Sequence, residues 1–389
     1  MSLYFPTNQP TIAPNIMVRK QRRLPVAGDI LVRLGARVEP DDVVARASMP
    51  GTPQTVEIAG PLAVKPKAAT KLLSKKVGDR VSEGEVLATR RQGIGKRTTV
   101  KSPVGGTLTA YDAATGLATI TPDSTTFELA AHLDGIVTEH IPYRGVVIDT
   151  PAAVVRGIAG VGGEQHGVLQ VAVTDPTEEL LPDQITARLA YAIVLGGGTT
   201  TAAALQRAVE HSVRAVIVGS MPEEELRAFL GYTEGLRSWA LGRTGWAFPP
   251  PHVSPRPVAL PPLTVILVEG FGRLPMAAKA WELLASFDGQ EVAVDGTTQL
   301  RNGLTRPEII VPLSRATGVA PYDTTAPPLG VRSLVRLIAS PYLGQTARVV
   351  TLSGGRQPIS SGLNTPAVEV QFADGTGVWV PVANLEVLE

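Results

Sequence analysis

The stretch LVRLGARVEPDDVVARA at residues 31–47 returns 43 positions later as SKKVGDRVSEGEVLATR at residues 74–90. The residues that match at this offset are Gly35 and Gly78, Val38 and Val81, Val43 and Val86, and Ala45 and Ala88. Each copy must bury the same apolar positions and make the same turns, so this repetition predicts one structural unit that is present twice.

A second pair of segments repeats at an offset of 29 positions. GTLT and GLATITP, within residues 106–122, return as GIVT and GVVIDTP within residues 135–151. Short runs of alternating apolar and polar residues, separated by glycine, predict strands and tight turns rather than helices. We therefore expect residues 25–150 to form an all-β domain with an internal repeat.

Composition limits the classes of protein to which the chain can belong. A length of 389 residues, 44% of them hydrophobic, permits two or three domains with well-packed cores. The absence of cysteine excludes disulfides and thiolate chemistry, and the five histidines form no HExxH-like pair, so we predict no metal site. No apolar run approaches the roughly 18 residues of a membrane span, and the first residues lack a signal-peptide pattern. We expect a cytoplasmic protein without membrane insertion.

The near-neutral net charge of +1 hides a basic segment at residues 65–101, which holds eleven Lys or Arg and three acidic residues. Such a segment is typical of a surface that meets nucleic acid, an acidic protein or anionic lipid. It is equally typical of a solvated outer face, and no aromatic residues interleave with the charges as base-stacking platforms. The candidate binding residues are Lys75, Lys76, Arg90, Arg91, Lys96, Arg97 and Lys101.

The segment KVGDRVSEGEVLATRRQGIGKRTTVKSPVGGTL at 76–108 resembles the lipoyl/biotinyl-type barrel-sandwich hybrid, with its glycines and Pro103 at the turn positions of that family. The resemblance implies a barrel-sandwich fold over about 25–150. In carrier members it also implies a modified lysine at the hairpin tip. Here the tip reads QGIGK, without the flanking methionine of biotin carriers and about one residue longer. We therefore predict no covalent biotin or lipoate on Lys96 and favour the non-carrier versions, which occur in redox-complex subunits and RNA polymerase insertions.

After residue 150 apolar strands alternate with amphipathic helical segments. The strands are predicted at 191–195, 213–219 and 263–272, and the helices at 199–212, 222–231 and 276–287. This alternation predicts a Rossmann-like α/β domain with a parallel sheet over 151–325. Seven prolines within residues 247–262 predict an extended insertion in this domain.

Small residues at the predicted strand-to-helix junctions give candidate ligand positions: Gly196, Gly197, Gly198, Thr199, Thr200, Glu269 and Gly270. A helix N-terminus at such a junction offers free N–H groups to a phosphate or carboxylate. The alternative is that the glycines only allow tight turns, and no named nucleotide-binding fingerprint is present. Nearby ionisable candidates are Glu164, His166, Asp295, Arg301, Arg306 and Glu308. The sequence does not show that they meet, so no catalytic residue is assigned.

The final segment, 331–389, predicts a β unit whose hairpin turns at Asp374-Gly375. VRLIASPYLGQTARVV and VPVANLEVL resemble the KOW/SH3-like barrel of transcription and ribosome-associated proteins. Gly344 matches the first motif glycine of that family, and Ala347 stands where a second is usual. The resemblance implies contact with RNA or a polymerase, or a barrel that serves only as a packing unit, as it does in many proteins.

Together these patterns predict a multidomain chain: an extended segment at 1–24, a duplicated barrel-sandwich hybrid at 25–150, a Rossmann-like α/β domain at 151–325 and an SH3-like barrel at 331–389. The leading functional hypothesis is a non-enzymatic adaptor that contacts nucleic acid or a transcription or translation machine. The alternative is a sensor or enzyme that binds a small anionic metabolite in the α/β domain. The sequence does not specify the oligomeric state.

Overall fold

The computed structural model describes residues 11–92, 96–231, 262–298, 305–313, 329–338, 342, 344–359, 362 and 364–388; of Gln92, Lys96 and residue 354 only the backbone is described. The fold is mostly β, with 49% of the described residues in strands and 13% in helices. There are several sheets, of which one is a half-barrel and one is mixed. The coarse prediction of a chain rich in β structure with a mixed α/β part is confirmed. The predicted proline-rich insertion at 247–262 lies almost entirely outside the described residues.

The first half of the chain consists of short strands joined by tight turns. These strands are β1 (Ile12–Arg23), β2 (Asp29–Ile30), β3 (Arg37–Val38), β4 (Val43–Met49), β5 (Gln54–Glu57), β6 (Arg80–Val81), β7 (Val86–Gln92), β8 (Lys96–Lys101), β9 (Gly106–Asp112), β10 (Leu117–Thr121), β11 (Thr125–Ala130), β12 (Gly135–Ile141) and β13 (Gly145–Arg156). The short helix α1 (Pro66–Ala69) continues into a 3-10 turn at Thr70–Leu72.

The two copies of the repeat make the same backbone contacts at corresponding positions. In each copy an acidic side chain closes a turn by accepting from a backbone N–H three residues earlier. The matching bonds, with the first copy named first, are Glu39 N to Asp42 Oδ2 (2.8 Å) and Ser82 N to Glu85 Oε2 (2.8 Å), Leu31 N to Val44 O (2.9 Å) and Ser74 N to Leu87 O (2.8 Å), and Gly35 N to Val137 O (2.7 Å) and Gly78 N to Leu108 O (2.8 Å). The repeat in the sequence is therefore a repeat in three dimensions.

One copy lies inside the other. At the offsets of the two repeats, β4 corresponds to β7 and β11 to β8. The second-copy strands β7 and β8 pair as one hairpin, whereas β4 and β11 pair with each other although β5 to β10 lie between them in sequence. The second copy thus occupies the position of the hairpin tip of the first. Each copy has its own core: Val44 and Ala45 lie in that of the first, and Leu87 and Ala88 in that of the second.

The central part of the chain adds longer buried strands and three further helices. The strands are β14 (Ala159–Val161), β15 (Glu164–Val171), β16 (Glu179–Leu180), β17 (Ile193–Leu195), β18 (Thr199–Thr200), β19 (Ala215–Met221), β20 (Thr264–Phe271), β21 (Glu291–Asp295) and β22 (Glu308–Pro312). The helices are α2 (Ala202–Glu210), α3 (Glu223–Phe229) and α4 (Ala278–Ala285), with 3-10 turns at Pro182–Gln184 and Ala187–Leu189.

A single mixed sheet of eleven strands connects the central part with the first. Its order is β14-β20-β19-β17-β15-β21-β22-β13-β12-β3, and β1 also pairs with β13. The predicted parallel arrangement is present in β15, β17, β19 and β20, while β14, β21 and β22 are antiparallel to their neighbours. Because β13 spans Gly145–Arg156 without interruption, the change of sequence pattern near residue 150 falls within one strand.

The helices follow from local sequence. Thr201 caps α2 by accepting from Ala204 N at 3.3 Å, and Ala204, Leu205 and Ala208 form its buried face. In α3 the first turn holds Glu223, Glu224 and Glu225. Their negative charges stabilise the helix because they lie at the positive end of its dipole. Within the described ranges no helix is long and apolar enough to span a bilayer.

The C-terminal unit is a five-stranded antiparallel sheet with its own apolar core. Its strands are β23 (Leu334–Leu337), β24 (Thr346–Pro358), β25 (Asn364–Gln371), β26 (Gly377–Pro381) and β27 (Leu385–Val387), with a 3-10 turn at Val382–Asn384. The predicted turn joins β25 to β26: Gly375 has φ 86°, and Phe372 N donates to Thr376 O at 2.9 Å. The predicted hairpin is confirmed.

Candidate functional site

The β7–β8 hairpin of the second copy carries a row of positive charge on its outer face. Residues 86–101 include five basic residues and no acidic one. Arg91 pairs directly with Arg97 across the two strands, and both side chains are exposed. Neither makes an ion pair within the residues that the structure describes. Like charges in directly opposed positions destabilise a hairpin, so this pair lowers the stability of the folded protein when no partner is bound.

The corresponding pair in the first copy is neutral. Ser48 and Thr126 lie opposite each other at the positions of Arg91 and Arg97. Two residues along the strands, Arg46 lies opposite Glu128, so the charges of the first copy oppose each other with opposite sign. Because both pairs belong to the same element of the same repeated unit, the fold does not require the arginines of the second copy.

The other predicted basic residues fall into two groups. Lys75 and Arg90 are engaged within the protein: Lys75 Nζ lies 2.7 Å from Glu85 Oε1, and Arg90 donates to the carbonyls of Leu62 and Ala63, both at 2.6 Å. In contrast, Lys76 and Lys101 are exposed, and the side chain of Lys96 lies outside the described residues. Lys101 shares the outer face with Arg97 because side chains alternate along a strand. The exposed row of the hairpin is therefore Arg91, Arg97 and Lys101.

The predicted glycine loop at the end of β17 is covered by residues 175–178 of the protein. Gly196, Gly197 and Gly198 are all buried. A side chain on Gly197 would collide with the carbonyls of Asp175 and Glu178, and Gly198 N donates to Glu178 O at 2.8 Å. These glycines allow the 175–178 segment to approach the sheet edge closely, in agreement with the tight-turn interpretation.

The residues that follow the glycines also make hydrogen bonds within the protein. Thr199 and Thr200 form β18, which pairs with β16, and Thr200 Oγ1 donates to Leu180 O at 3.1 Å. At the start of α2, Ala202 N donates to Glu225 Oε2 at 2.8 Å. A carboxylate of the protein thus already holds the helix N-terminus at which an anionic ligand was predicted.

Glu269 and Gly270, predicted to bind a ligand, contact the C-terminal unit. Glu269 is 7% exposed; its Oε1 accepts from Ala277 N at 3.0 Å, and its Oε2 accepts from Arg336 of β23. Gly344, the glycine of the KOW-like motif, has φ 85°, and a Cβ there would lie 2.7 Å from Glu269 O. The C-terminal unit therefore covers the end of β20.

A chain of buried ion pairs continues across this contact. Arg306 pairs with Glu386 of β27, and Glu386 Oε2 lies 3.8 Å from Nη1 of Arg336. The exposed fractions of these three side chains are 4–6%. Arg306 also donates to the carbonyls of Gly157 (2.8 Å) and Arg156 (3.1 Å). Removing one member of a buried ion pair leaves an uncompensated charge. These connected ion pairs therefore fix the C-terminal unit to the central sheet.

Two of the predicted acids meet around a lysine of β1. Asp295 and Glu308 are opposed on β21 and β22, and Lys20 Nζ lies 3.7 Å from Asp295 Oδ2 and 3.1 Å from Glu308 Oε2. Burial lowers the pKa of Lys20, but the Coulomb attraction of Glu308 and Asp295 outweighs it and holds that pKa above its usual value. Lys20 is thus a cation shared by two carboxylates rather than a free base.

The predicted pair Glu164 and His166 lies on β15, where each residue has a different partner. Glu164 pairs with Arg22 of β1 and lies 3.6 Å from His132 Nε2, whereas His166 Nε2 lies 3.3 Å from Asp41 Oδ1. Sequence reasoning did not include Lys20, Arg22, Asp41 or His132 among the site residues. The local signal for Lys20 and Arg22 is the basic cluster that they form with Arg19 and Arg23. Across the described part of the chain, no group of three or more His, Asp or Glu side chains could hold a metal ion.

Arg301, the other predicted anion partner, lies outside the described residues. The arrangement as a whole offers two features: ion-pair clusters that join the parts of the molecule, and one basic row that faces outward. No known protein family matches this sequence. No curated protein matches it either.

Proposed function

We propose that the protein is a non-enzymatic adaptor whose β7–β8 hairpin binds nucleic acid through its phosphates. The observation that carries this proposal is the opposed pair Arg91 and Arg97, which replaces the neutral pair Ser48 and Thr126 of the other copy. A feature that the fold does not need, and that is unfavourable for it, is best explained by a partner. An anion that lies across the two strands would remove the repulsion.

The chemistry of the row favours a polyanion that is contacted through its backbone. Arg91, Arg97 and Lys101 offer guanidinium and ammonium donors on one face. Arginine in particular matches phosphate oxygens in a bidentate manner. The hairpin has no aromatic residue on which bases could stack. We therefore expect affinity without strong sequence preference, since phosphate contacts position a protein but carry no sequence information.

We further propose domain types for the three parts. Matched hydrogen bonds in the two copies support a nested pair of barrel-sandwich hybrids at 25–150. Parallel β15, β17, β19 and β20 with their helices support a Rossmann-like unit at 151–325, and the five-stranded sheet supports an SH3-like barrel at 331–389. In this proposal the C-terminal barrel orients the molecule as a fixed unit, because its Arg336 and Glu386 are buried against the central part.

Within this proposal the protein acts in the cytoplasm and has no resident metal and no catalytic residue. We also predict that Lys96 carries neither biotin nor lipoate. Intact-mass measurement of protein from the native host tests the last point, since a covalent cofactor would add a discrete mass that maps to the peptide containing Lys96.

The test compares binding of a short DNA or RNA duplex by the unaltered protein and by the double variant Arg91→Ser/Arg97→Thr, which copies the residue types of the first copy. The matched control is Arg33→Ser/Arg188→Thr, which removes two exposed arginines elsewhere. We expect the hairpin variant alone to lose affinity. Its slope of log K against log salt should fall by roughly 1.8, because each neutralised phosphate contributes about 0.9. Equal loss in both double variants, or in neither, would remove the hairpin from the proposal.

The alternative function, binding of a small anionic metabolite at Gly196–Thr200, has less support. The loop is covered by residues 175–178, and Glu225 occupies the start of α2. Thermal stabilisation by inorganic phosphate or a nucleotide, lost in Gly197→Val, would favour this alternative.

A further inference from the structure

The first copy of the repeat meets the central sheet through a reciprocal pair of histidine–carboxylate contacts. From the first copy, His132 Nε2 lies 3.6 Å from Glu164 Oε2, and Asp41 Oδ1 lies 3.3 Å from His166 Nε2. Each side thus contributes one histidine and one acid. The two imidazole rings are edge to face, with centroids 5.9 Å apart.

The backbone fixes both residues of the first copy in place. His132 N donates to Pro40 O at 2.8 Å and Ala131 N donates to Asp42 O at 2.9 Å, so the turn that holds Asp41 lies beside His132. His132 has φ 64°, a left-handed conformation in which histidine and asparagine are among the better tolerated residues. On β15, Glu164 and His166 are two residues apart and point to the same side.

The ionisable groups that surround His132 come from every element packed against it. They are Arg22 and Lys20 of β1, Asp41 of the turn after β3, Glu164 and His166 of β15, Asp295 of β21 and, through Lys20, Glu308 of β22. Arg22 already pairs with Glu164, and Arg22 is buried. Nδ1 of His132 is buried and has no hydrogen-bond partner among the described residues. A proton added to the His132 ring would therefore gain little from Glu164, because Arg22 already neutralises that carboxylate.

We propose that this contact is a pH-sensitive joint between two turns of the first copy, which hold Asp41 and His132, and strand β15 of the large sheet; the joint is closed in neutral solution and loosened in mildly acidic solution. Protonation of His132 places a new cation beside Arg22 and within reach of His166. The Asp41 carboxylate offsets little of this repulsion, because its side chain is 92% exposed and ion pairs at the surface contribute little. Repulsion from Arg22, whose side chain is 7% exposed, therefore outweighs attraction to the exposed Asp41.

The direction of the pKa shift of His132 agrees with this geometry. Burial is the main cause that lowers this pKa, the Arg22 and His166 charges lower it further, and the Glu164 and Asp295 charges only partly oppose them. Since the folded pKa lies below the model-peptide value of 6.5, the closed joint favours neutral His132. Its full stability is present above pH 6.5 and is lost progressively as the pH falls from there to the lower folded pKa.

Hydrogen–deuterium exchange of the full chain tests the joint at pH 7.5 and pH 5.5, after correction for the intrinsic exchange rate. We expect amides in residues 36–42 and 131–137 to exchange on the order of threefold or more faster at pH 5.5, because the joint is open in a larger fraction of the molecules there. Amides of the C-terminal unit should not change in this way, which separates opening of the joint from global unfolding.

The decisive variant is His132→Asn, which keeps a residue suited to the left-handed backbone but removes the titrating group. The acid-dependent acceleration should disappear in this variant and remain in the control His211→Asn, at the C-cap of α2. The readout is the ratio between the two pH values, so a uniform loss of stability in His132→Asn does not obscure it. An unchanged ratio in His132→Asn, or no acceleration in the unaltered protein, would overturn the proposal.

Discussion

The two copies of the repeat share their turns and hydrogen bonds but differ in the hairpin made by β4 and β11 in one copy and by β7 and β8 in the other. In the first copy this hairpin encloses the whole second copy, and its opposed residues are neutral or of opposite charge. In the second copy it closes within a few residues and opposes Arg91 to Arg97. The shared positions show what the fold requires, and the divergent arginine pair is the position at which the proposed partner would bind.

The largest expected effect tests whether the nested copies are separate cooperative units. Leu87 is fully buried in the core of the second copy. Leu87→Ala should lower the free energy of unfolding by about 2–5 kcal/mol, as large-to-small changes in cores do. Hydrogen exchange should accelerate within residues 54–121, with little change at residues 36–49 and 125–148. Equal acceleration in both regions would mean that the copies unfold together.

A matched pair of glycines tests how closely the two turns correspond. Gly35 has φ 78° and Gly78 has φ 99°, and a Cβ at either position would meet no atom within 4 Å. Gly35→Ala and Gly78→Ala should therefore each cost about 1–2 kcal/mol, from backbone strain alone. Chemical denaturation measures both. A difference of several kcal/mol between them would show that the turns are not equivalent.

The opposed arginines should affect stability in the direction opposite to their effect on binding. Arg91→Ser/Arg97→Thr is expected to raise the free energy of unfolding by about 0.2–1 kcal/mol, because it removes a cross-strand repulsion. The reverse change in the first copy, Ser48→Arg/Thr126→Arg, should lower it by a similar amount. Thermal melts at low and high salt measure both effects, which should shrink as salt screens the charges. A hairpin variant that is less stable at both salt concentrations contradicts the prediction.

The smallest effect concerns the acid that closes each turn. A hydrogen bond from Lys75 to Glu85, together with the backbone N–H of Ser82, holds the pKa of Glu85 below its usual value. In the first copy Val32 stands at the position of Lys75, so no lysine reaches Asp42 from there. The stability that Glu85 contributes is present above its usual pKa and is lost as the pH falls through the depressed one.

Titration of the Glu85 carboxyl by NMR checks this prediction, with Lys75→Val as the matched variant. The pKa of Glu85 should rise toward its usual value when the lysine is replaced. An unchanged pKa in that variant would assign the shift to the backbone hydrogen bond alone.

Sequence reasoning predicted the features that depend on neighbours along the chain. The repeat offset, the strands and helices around Ala202–Glu210, and the turn at Gly375 all have local signals in spacing, caps and glycine. The nesting had no such signal, because the pairing of β4 with β11 depends on contacts across more than seventy residues. Those contacts become visible only when corresponding hydrogen bonds are compared.

The candidate sites show the same division. The sequence singled out Glu164, His166, Asp295, Arg306 and Glu308, and the structure places each of them in an ion-pair cluster. Their partners come from distant segments, among them Lys20, Asp41, His132 and Glu386, and no local pattern connects them. The tight-turn interpretation of the glycine loop rested on local sequence, but the burial of this loop under residues 175–178 depends on tertiary packing.

The insertion of one copy inside the other also sets an order of folding. Bringing β4 to β11 across a disordered stretch of residues 50–124 would cost about 4 kcal/mol of chain entropy before any contact repays it. If the inner copy folds first, its own ends are already side by side, since Gln54 pairs with Ile120 a few residues from Met49 and Thr125. The outer copy then closes over a short, ordered gap, and its folding depends on that of the inner one.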